Sequence, residues 1–405
     1  MINHLPKLLE GKKIILGVCG SIAVYKSIEI LRFLEKLGAE IRVVMSENAK
    51  EFIQPLLFEA LSHHQVLHKD SQNWRKPPCN HIELARWGDM FLIAPTTANT
   101  LNKVACGIAD NILLESFLAF DKIKAIAPAA NTKMIENPIT KKSLEVLSQM
   151  NITIIASQSK ELACKEIGNG GLAEPLEIIY EVLRMFFKDN FWLQKKVCIS
   201  SGGSKEKIDN VRYLSNFSSG KMGANLALSA YFLGAEVRYI YSAESYPLPL
   251  GINKIKVQST QEYLQAIQNW QQKIQNPKNS YLIMNAAISD YIPQTSASKK
   301  LKKQEIGKEW NLLLKENIDI LQSIEKSQIT IGFKLEDENG INNALQTLHK
   351  KSLDAICLNE ISSNFTPMDS KENKILWVTK DLQKNLGYAD KLHLSFAIFN
   401  EAKHL

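Results

Sequence analysis

The sequence has few cysteines, and none of them stands in a metal-binding or redox pattern. Six cysteines are spread over 405 residues, and no two have the C-x-x-C spacing that structural zinc sites and thioredoxin-like motifs use. This scarcity excludes a disulfide framework, so we expect reduced thiols and a cytoplasmic protein. The sequence leaves any metal ligands unknown.

Long apolar runs are also missing. No apolar stretch reaches the length of about 18 residues that a membrane span requires, so we expect no membrane partner. The N-terminal segment MINHLPKLLE lacks the apolar core of a secretory signal peptide. Both absences agree with a cytoplasmic location.

A concentrated positive charge is a third missing feature. The formal net charge is +7, but the lysines are scattered and no basic stripe alternates with aromatic residues. We therefore expect no nucleic-acid partner. The mild positive excess suits small anionic substrates.

Neither a dinucleotide-binding fingerprint nor a P-loop is present. The stretches VCGSIA and SGGSKE do not fit G-x-G-x-x-G, which argues against a plain NAD-type oxidoreductase. The stretch SNFSSGKMG at 215–223 departs from a P-loop, because Ser215 replaces the first Gly and Met222 replaces the Mg²⁺-holding Ser or Thr. A Gly-rich entry to a helix can still bind phosphate through free N–H groups. Alternatively, Ser218 or Ser219 merely caps the helix.

Two parts of the chain repeat the order strand, turn, helix, strand. Residues 12–18 and 39–46 predict strands on either side of a helix that ends at Gly38, and 195–203 and 235–241 flank a second helical stripe. Both units contain L-G-A-E-[IV]-R. Further strands are predicted at 89–95, 124–129, 280–287, 329–333 and 355–359. The pattern predicts an α/β protein with two doubly wound, Rossmann-like domains, which we place at 1–190 and 191–405.

Polar residues follow the predicted strands of the first half. In open α/β sheets ligands bind beyond the carboxyl ends of strands, so these residues are candidates for a phosphate site. Each hydroxyl could instead be a helix cap. The candidates are Gly20, Ser21, Ser46, Thr97, Asn99 and Thr100.

Residues 12–180 resemble the flavin-dependent cysteine decarboxylases. The resemblance depends on GSIAxYK, APTTANTLxKxAxGIADN, HIELAR, PAxNxxM and LACxxxGxGxxAEP. It implies an FMN cofactor bound by the strand-end residues. It also implies a reaction in which a cysteinyl thiol is oxidised to a thioaldehyde, CO₂ leaves, and the remaining enethiolate is reduced to a thiol.

The same resemblance assigns roles to three residues. His81 matches the family's active-site base, Asn131 the residue that holds the substrate carboxylate, and Cys164 the acid of the reductive half. A lone histidine is more often structural, so His81 depends most on the resemblance. The sequence departs from the family pattern at Ala130 and Ile135, where Met and Trp are usual, and at Lys165 and 171–172.

Residues 195–400 resemble the phosphopantothenate–cysteine ligases. The matching stretches are GGSKEKIDNVRYLSNFSSGKMG, NAAISDY, SKKLKK, NxDIL, GFKLE and KSLDAICLN. The resemblance implies that CTP activates the carboxylate of 4′-phosphopantothenate as an acyl-cytidylate, that pyrophosphate leaves with Mg²⁺, and that the cysteine amine displaces CMP.

The ligase resemblance also assigns site residues. Asn216 matches the residue that stabilises the acyl-cytidylate step. Ile318 and Thr347 stand where the family has Pro and, often, a second Lys. The implied nucleotide- and substrate-binding residues are Arg212, Ser218, Ser219, Gly220, Lys221, Asp290, Lys300, Ile318, Asp319, Ile320, Leu321, Phe333 and Lys351.

Together the two halves resemble bifunctional decarboxylase/ligases of coenzyme A biosynthesis. Such an enzyme makes 4′-phosphopantothenoylcysteine and converts it to 4′-phosphopantetheine. The resemblance implies a homo-oligomer in which decarboxylase trimers assemble into a dodecamer and ligase domains pair as dimers. One alternative is a decarboxylase of another cysteinyl substrate, such as a peptide C-terminal cysteine, with a weakened or inactive ligase half. Another is a binding module with an inactive flavin site.

Overall fold

The computed structural model of the chain describes residues 2–74, 80–161, 167–336, 339–360 and 370–405. It consists of two compact units, Met1–Phe186 and Phe187–Leu405. Among the helices in these ranges, none combines the length and hydropathy that a membrane span requires.

The first unit is built on a parallel sheet of five strands. Apolar runs that are buried on both faces are typical of such strands, and Met90–Thr96 is buried along its whole length. The sheet is formed by β1 (Lys13–Val18), β2 (Glu40–Met45), β3 (Met90–Thr96), β4 (Ile123–Pro128) and β5 (Thr153–Ile154) in the order β2-β1-β3-β4-β5.

Helices connect and cover these strands. The phenyl ring of Phe91 in β3 packs edge-on against Phe117 and Phe120, with ring centroids 5.0 and 5.7 Å apart. An antiparallel hairpin of β6 (Gln158–Glu161) and β7 (Ile167–Gly171) follows β5. The helices are α1 (Tyr25–Lys36), α2 (Pro55–Ser62), α3 (His81–Trp87), α4 (Ala98–Ala105), α5 (Ile112–Ala119), α6 (Thr132–Ile135), α7 (Pro138–Gln149) and α8 (Pro175–Phe187).

The second unit has a sheet of eight strands and two short ribbons. The sheet order is β12-β11-β8-β13-β16-β17-β18-β19, parallel from β12 to β17 and antiparallel for the last two strands. The ribbons pair β9 with β10 and β14 with β15. The strands are β8 (Lys196–Ser201), β9 (Lys205–Lys207), β10 (Tyr213–Ser215), β11 (Glu236–Tyr241), β12 (Asn253–Lys256), β13 (Ser280–Met284), β14 (Tyr291–Pro293), β15 (Leu314–Glu316), β16 (Ile329–Glu336), β17 (Ala355–Glu360), β18 (Glu372–Val378) and β19 (Gln383–Asp390).

Helices cover both faces of this sheet. Leu282 and Ile356 belong to apolar clusters on one face, and Tyr281 on the other face packs against Trp192, which in turn packs against Phe399. The helices are α9 (Lys221–Phe232), α10 (Thr260–Gln271), α11 (Lys303–Ile306), α12 (Ile320–Ser323), α13 (Gly340–Lys350) and α14 (Lys391–Ala402).

The predicted fold class is confirmed, because both units are α/β with parallel sheets. The antiparallel strands β18 and β19 and the short ribbons were not predicted from the sequence. The predicted strand at 280–287 ends earlier, at Met284. Beyond that point Ala286 donates its N–H to the Ser200 hydroxyl at 3.1 Å, so the chain turns across the edge of the sheet.

Candidate functional site

The strand order of the first unit locates its candidate site. β2 and β3 lie on opposite sides of β1, and in doubly wound sheets ligands bind beyond the carboxyl ends of the strands at such a switch point. The segments that follow β1, β2 and β3 begin with Cys19, Ser46 and Thr97. The predicted strand-end residues therefore lie along the same edge of the sheet.

Two of the strand-end hydroxyls act as caps. Ser21 accepts from the Ala23 N–H at 3.3 Å, and Thr97 accepts from the Thr100 N–H at 3.2 Å. The Thr97 hydroxyl also donates to the Thr100 hydroxyl at 3.1 Å. Capping and ligand contact are therefore compatible at Ser21, whose hydroxyl can still donate a proton. Asn99 is exposed in the first turn of α4.

Gly20 leaves no space for a side chain. A Cβ at this position would come within 2.7 Å of both the carbonyl oxygen and the Cβ of Asn48. The neighbouring Cys19 donates its thiol to Thr100 at 3.3 Å, and burial raises the pKa of this thiol to about 11. The turn after β1 is thus tightly packed against the segment that contains Asn48. Cys19 acts as a structural hydrogen-bond donor rather than a reactive thiol.

His81 lies at the first position of α3, and polar groups surround one side of its ring. Its Nδ1 lies 3.1 Å from Gln72 Nε2 and 3.6 Å from a carboxylate oxygen of Glu115. The edge of the Trp74 ring system packs at a centroid distance of 5.5 Å. The Gln72 amide nitrogen donates, so Nδ1 accepts at this contact and the neutral ring carries its proton on Nε2. Gln72 and Glu115 were not identified from the sequence.

Asn131 follows β4 and caps α6. Its side-chain oxygen accepts from the Lys133 N–H at 2.9 Å, which fixes the orientation of the amide. The hairpin strand β7 packs directly on this segment, since Ala130 donates its N–H to the Gly170 carbonyl at 3.0 Å. A Cβ at Gly170 would overlap the Ala130 carbonyl oxygen.

The same hairpin carries Cys164 in its sequence. Cys164 and Lys165 lie outside the described residues, between β6 and β7. Gly168 makes a second close approach, because a Cβ there would overlap the hydroxyl of Thr132. Side chains two apart in a strand point to the same face, so both glycines of the G-x-G motif face the Asn131 segment.

One further contact links two motifs of the first unit. Lys26, in GSIAxYK, is buried and pairs with Glu174, in the AEP motif, at 2.8 Å. The pair joins α1 to the start of α8. Both motifs were recognised from the sequence, but their contact was not, because the two residues are separated by most of the domain.

The second unit contains a large cavity at the carboxyl ends of its central strands. Its volume is about 1110 Å³. The fold brings together lining residues that are far apart in the sequence, from the loop after β13, the second half of β16, α12 and the end of α13. Of the predicted residues, those lining it are Asn216, Ser218, Ser219, Gly220, Lys221, Asp290, Ile318, Asp319, Ile320, Leu321, Phe333 and Lys351.

The N-terminus of α9 forms one wall of this cavity. Gly220 precedes the helix with a φ of +70°, in the left-handed region that favours glycine, and no side chain caps the helix there. The Ser201 hydroxyl donates to the Gly220 carbonyl at 3.0 Å. The uncapped first turn leaves N–H groups toward the cavity, which is the arrangement that binds anions at helix N-termini.

Ion pairs line another wall. Lys351 pairs with Asp319 at 2.9 Å. Lys334 pairs with Glu336 at 2.9 Å and donates to the Thr347 hydroxyl at 2.8 Å. Lys334 was not singled out from the sequence, although it lies inside the GFKLE stretch.

Arg212 and Lys300 are not among the described residues that line the cavity. The Arg212 Nε donates to Asp209 at 3.0 Å, its Nη2 donates to the Leu301 carbonyl at 2.9 Å, and its guanidinium covers the Trp310 ring at 4.6 Å. Arg212 holds the pKa of the Asp209 carboxyl well below its usual range. In this structure Arg212 therefore anchors the segment that carries Lys300. The resemblance had instead assigned Arg212 to direct contact with the nucleotide or the substrate.

Asn216 lies exposed at the mouth of the cavity. Its amide donates to the Ile288 carbonyl at 3.1 Å, so the loop after β10 is attached to the loop after β13. Asp290, two residues beyond Ile288, lines the same cavity.

Family models match both units. The model described as Flavoprotein matches residues 2–187, and the model described as DNA/pantothenate metabolism flavoprotein C-terminal domain matches residues 192–405. The chain is 35% identical over 401 residues to the Coenzyme A biosynthesis bifunctional protein CoaBC of Vibrio vulnificus strain YJ016, covering 98% of each chain. It is 34% identical over 398 residues to the protein of the same name from Escherichia coli strain K12, covering 97% of each chain.

Solved structures match each half separately. A PPC decarboxylase mutant complexed with pantothenoylaminoethenethiol is 36% identical, with 43% of this chain and 97% of that chain covered and a TM-score of 0.39. The C-terminal domain of a Coenzyme A biosynthesis bifunctional protein CoaBC is 27% identical, with 53% and 97% covered and a TM-score of 0.44.

Proposed function

This chain belongs to the family of coenzyme A biosynthesis bifunctional proteins, and from that premise we propose which residues and cofactors carry its two reactions. It is a bifunctional enzyme with a flavoprotein decarboxylase domain followed by a ligase domain. We propose domain limits of 1–190 and 191–405, FMN in the first domain, and CTP with Mg²⁺ in the second. The substrates would be 4′-phosphopantothenate and cysteine.

One observation carries the ligase assignment. Asn216, Asp290, Phe333 and Lys351 are spread over more than a hundred residues of sequence, and they line the same cavity of about 1110 Å³. A cavity of this size is large enough for a nucleotide and a second substrate together. The convergence supports a site in which both are held for reaction.

The ligase reaction would take place around Asn216. Its amide is a fixed hydrogen-bond donor for the negative charge that develops when the carboxylate is activated. Lys351, and Lys300 from the segment that Arg212 anchors, would neutralise the nucleotide phosphates. The N–H groups at the start of α9 and the side chain of Lys221 would hold a further anionic group.

The first domain would bind FMN through Gly20, Ser21, Ser46, Thr97, Asn99 and Thr100. The donor set fits a phosphorylated cofactor, because hydroxyls and free N–H groups follow three adjacent strands and Gly20 keeps the turn close to the sheet. The flavin supplies the redox chemistry when bound.

Protein groups would supply positioning and protons for decarboxylation. The amide nitrogen of Asn131 is a donor for the substrate carboxylate, because its oxygen already caps α6. His81 would act as the base that removes the proton from the reacting group. Cys164 would donate the proton that completes the thiol product, and the hairpin that carries it is docked on the Asn131 segment.

The test is a product analysis of the purified protein with 4′-phosphopantothenate, cysteine, Mg²⁺ and either CTP or ATP. We expect 4′-phosphopantetheine with CTP, detected by mass. Accumulation of 4′-phosphopantothenoylcysteine would mean that the changes at Ala130, Ile135 or Lys165 weaken the decarboxylase. No coupling with either nucleotide would contradict the proposed ligase.

The alternative, decarboxylation of another cysteinyl substrate with a weakened ligase half, is not favoured. Relatives that are bifunctional proteins match the chain across both domains. The cytoplasmic location and the homo-oligomer, a trimer-based dodecamer with ligase-domain dimers, stay predictions. A mass measurement in solution would test the assembly.

A further inference from the structure

A chain of hydrogen bonds runs from β9 to the wall of the second unit's cavity. It begins at Glu206 of β9, whose carboxylate accepts from the backbone N–H of Thr260 at 2.9 Å and from the Thr260 hydroxyl at 2.6 Å. Both residues are buried, and neither is among the described residues that line the cavity. Their contact ties the β9–β10 ribbon to the first residue of α10.

Asn317 is the member of this chain that reaches the cavity. Its amide nitrogen donates to the Thr260 hydroxyl at 2.8 Å and to the Ser289 carbonyl at 2.6 Å. Its amide oxygen accepts from the Ile318 N–H at 2.8 Å, and its backbone N–H donates to the Asp290 carbonyl at 2.8 Å. The side chain of Asn317 therefore uses both of its donor hydrogens and its oxygen within the protein.

The direction of these bonds follows from the carboxylate at one end. A carboxylate accepts hydrogen bonds and donates none, so the single proton of the Thr260 hydroxyl points to Glu206. The Thr260 oxygen can then only accept, and the group that faces it must be the NH₂ of Asn317 rather than its oxygen. The Ser289 carbonyl is also an acceptor, so it selects the same orientation. One orientation of the Asn317 amide satisfies both contacts.

Three walls of the cavity are connected through this chain. The loop after β13 contributes Ser289 and Asp290, and the segment 317–321 contains the residues that the proposed function assigns to the nucleotide. The third wall begins at Asn216, directly after β10, and β10 pairs with the strand that carries Glu206. A fixed Asn317 amide therefore holds the nucleotide segment against the other two walls.

We propose that Glu206, Thr260 and Asn317 are positioning residues of the ligase site, and that they hold the segment 317–321 where it binds the nucleotide. Glu206 and Thr260 act through Asn317 and touch no substrate. This inference rests on the proposed function and extends it to residues outside the cavity lining. None of the three was assigned a role from the sequence, because their bonds join positions 54 and 57 residues apart.

The experiment removes the Thr260 hydroxyl from the full-length protein. Thr260→Val keeps the size of the side chain and the backbone N–H that donates to Glu206, but it leaves the Asn317 amide without this acceptor. Calorimetry with CTP and Mg²⁺ gives the Kd for the nucleotide, and pyrophosphate release in the complete reaction gives kcat and the KM for CTP. Thermal unfolding of the same samples reports whether each variant is folded.

Two matched substitutions separate positioning from stability. Thr260→Ser keeps the hydroxyl and should preserve the wild-type values. Thr330→Val makes the same change at another buried threonine of the second unit, where the hydroxyl donates to the Gln328 carbonyl and accepts from the Gln328 amide, both at 3.2 Å. Thr330 is not among the described residues that line the cavity, so this control removes a buried hydroxyl without changing the Asn317 amide.

We expect Thr260→Val to raise the Kd and the KM for CTP about tenfold, which is the scale of one lost buried hydrogen bond. The kcat should change less than about threefold, because the Asn216 amide keeps its own bond to the Ile288 carbonyl. Thr330→Val should lower the melting temperature but leave both constants for CTP unchanged. Asn317→Ala should raise the Kd at least as much, and adding Thr260→Val to it should change the Kd less than about twofold, because both substitutions break the same bond.

Other results would overturn the inference. An unchanged Kd for CTP in Thr260→Val, or in Asn317→Ala if the first variant does not fold, would exclude the positioning role even if the wild type is an active ligase. A loss of affinity in Thr260→Ser or Thr330→Val equal to that in Thr260→Val would reduce the effect to general destabilisation. If the wild type binds CTP in a Thr260-dependent way but couples no substrate, the ligase proposal fails and the positioning role stands. A wild type that binds no nucleotide would overturn both.

Discussion

Substituting Gly170 tests whether the docking of the hairpin on the Asn131 segment is needed for decarboxylation. A Cβ at this position would lie about 0.9 Å closer to the Ala130 carbonyl oxygen than the 3.0 Å that real Cβ atoms keep from their neighbours. Both atoms belong to backbone-anchored groups, so Gly170→Ala must move β7 away from the segment by about that distance. The hairpin carries Cys164, and the segment carries Asn131.

The expected cost follows from this displacement. Misplacing a catalytic group by about 1 Å can cost about 100-fold in rate. Gly170→Ala should therefore lower kcat for the decarboxylation that yields 4′-phosphopantetheine by about 100-fold. The assay follows the thiol product by mass, and the visible flavin absorption reports whether the first domain still holds its cofactor.

Two controls make the result specific. Asn169→Ala changes the residue between the two glycines, whose side chain points to the opposite face and accepts from the Ser157 hydroxyl, and it should keep most of the activity. Ligase activity, measured on the same samples, belongs to the other domain and should not change. Full decarboxylase activity in Gly170→Ala, with normal flavin content, would refute the reasoning.

Other variants separate the remaining roles. Cys164→Ser should release CO₂ but stall before the thiol product; normal product at the normal rate, by mass, would exclude Cys164 as the acid. Asn216→Asp should accumulate or abolish the acyl-nucleotide and leave the flavin absorption unchanged, and normal coupling would exclude its role. Burial lowers the pKa of Lys326 to about 8 in the folded protein, against an ordinary value of 10.5. Between these pH values the unfolded chain binds more protons at this site, so the contribution of Lys326 to the free energy of unfolding rises with pH. Lys326→Met should reduce the gain in urea stability from pH 8 to pH 10, and an equal gain in both proteins would contradict the pKa.

Much of the fold could be predicted from the sequence, because its main strands are short apolar runs that end in turns. The strand predicted at 39–46 exceeds β2 by one residue at each end, and the strand predicted at 235–241 exceeds β11 by one residue at its start. The strands β18 and β19 were missed for a physical reason. β19 is largely exposed and has no apolar alternation, so its pairing depends on β18 rather than on its own sequence.

The candidate sites could be predicted in part. Motifs identified single residues such as His81 and Asn131, since each carries chemistry that its neighbours in sequence do not. The partners of these residues could not be found in the same way. Glu115 reaches His81 from another helix, and Gly170 reaches Ala130 from a hairpin, so neither contact leaves a pattern in the local sequence.

Lys334 shows how the fold changes the meaning of a substitution. The resemblance to the ligases implies a second lysine at the position of Thr347, which from the sequence suggests a missing cation at the nucleotide. In the structure the Lys334 ammonium lies 2.8 Å from the Thr347 hydroxyl. The contact forms because α13 packs on the face of the sheet to which the Lys334 side chain of β16 points. The cavity wall therefore has an ammonium group beside Thr347, supplied by a different element. Glu336 lies 2.9 Å from the same ammonium and offsets part of its charge. Lys334 therefore places a cation where the lysine is missing, but it attracts an anion less strongly than an unpaired lysine would.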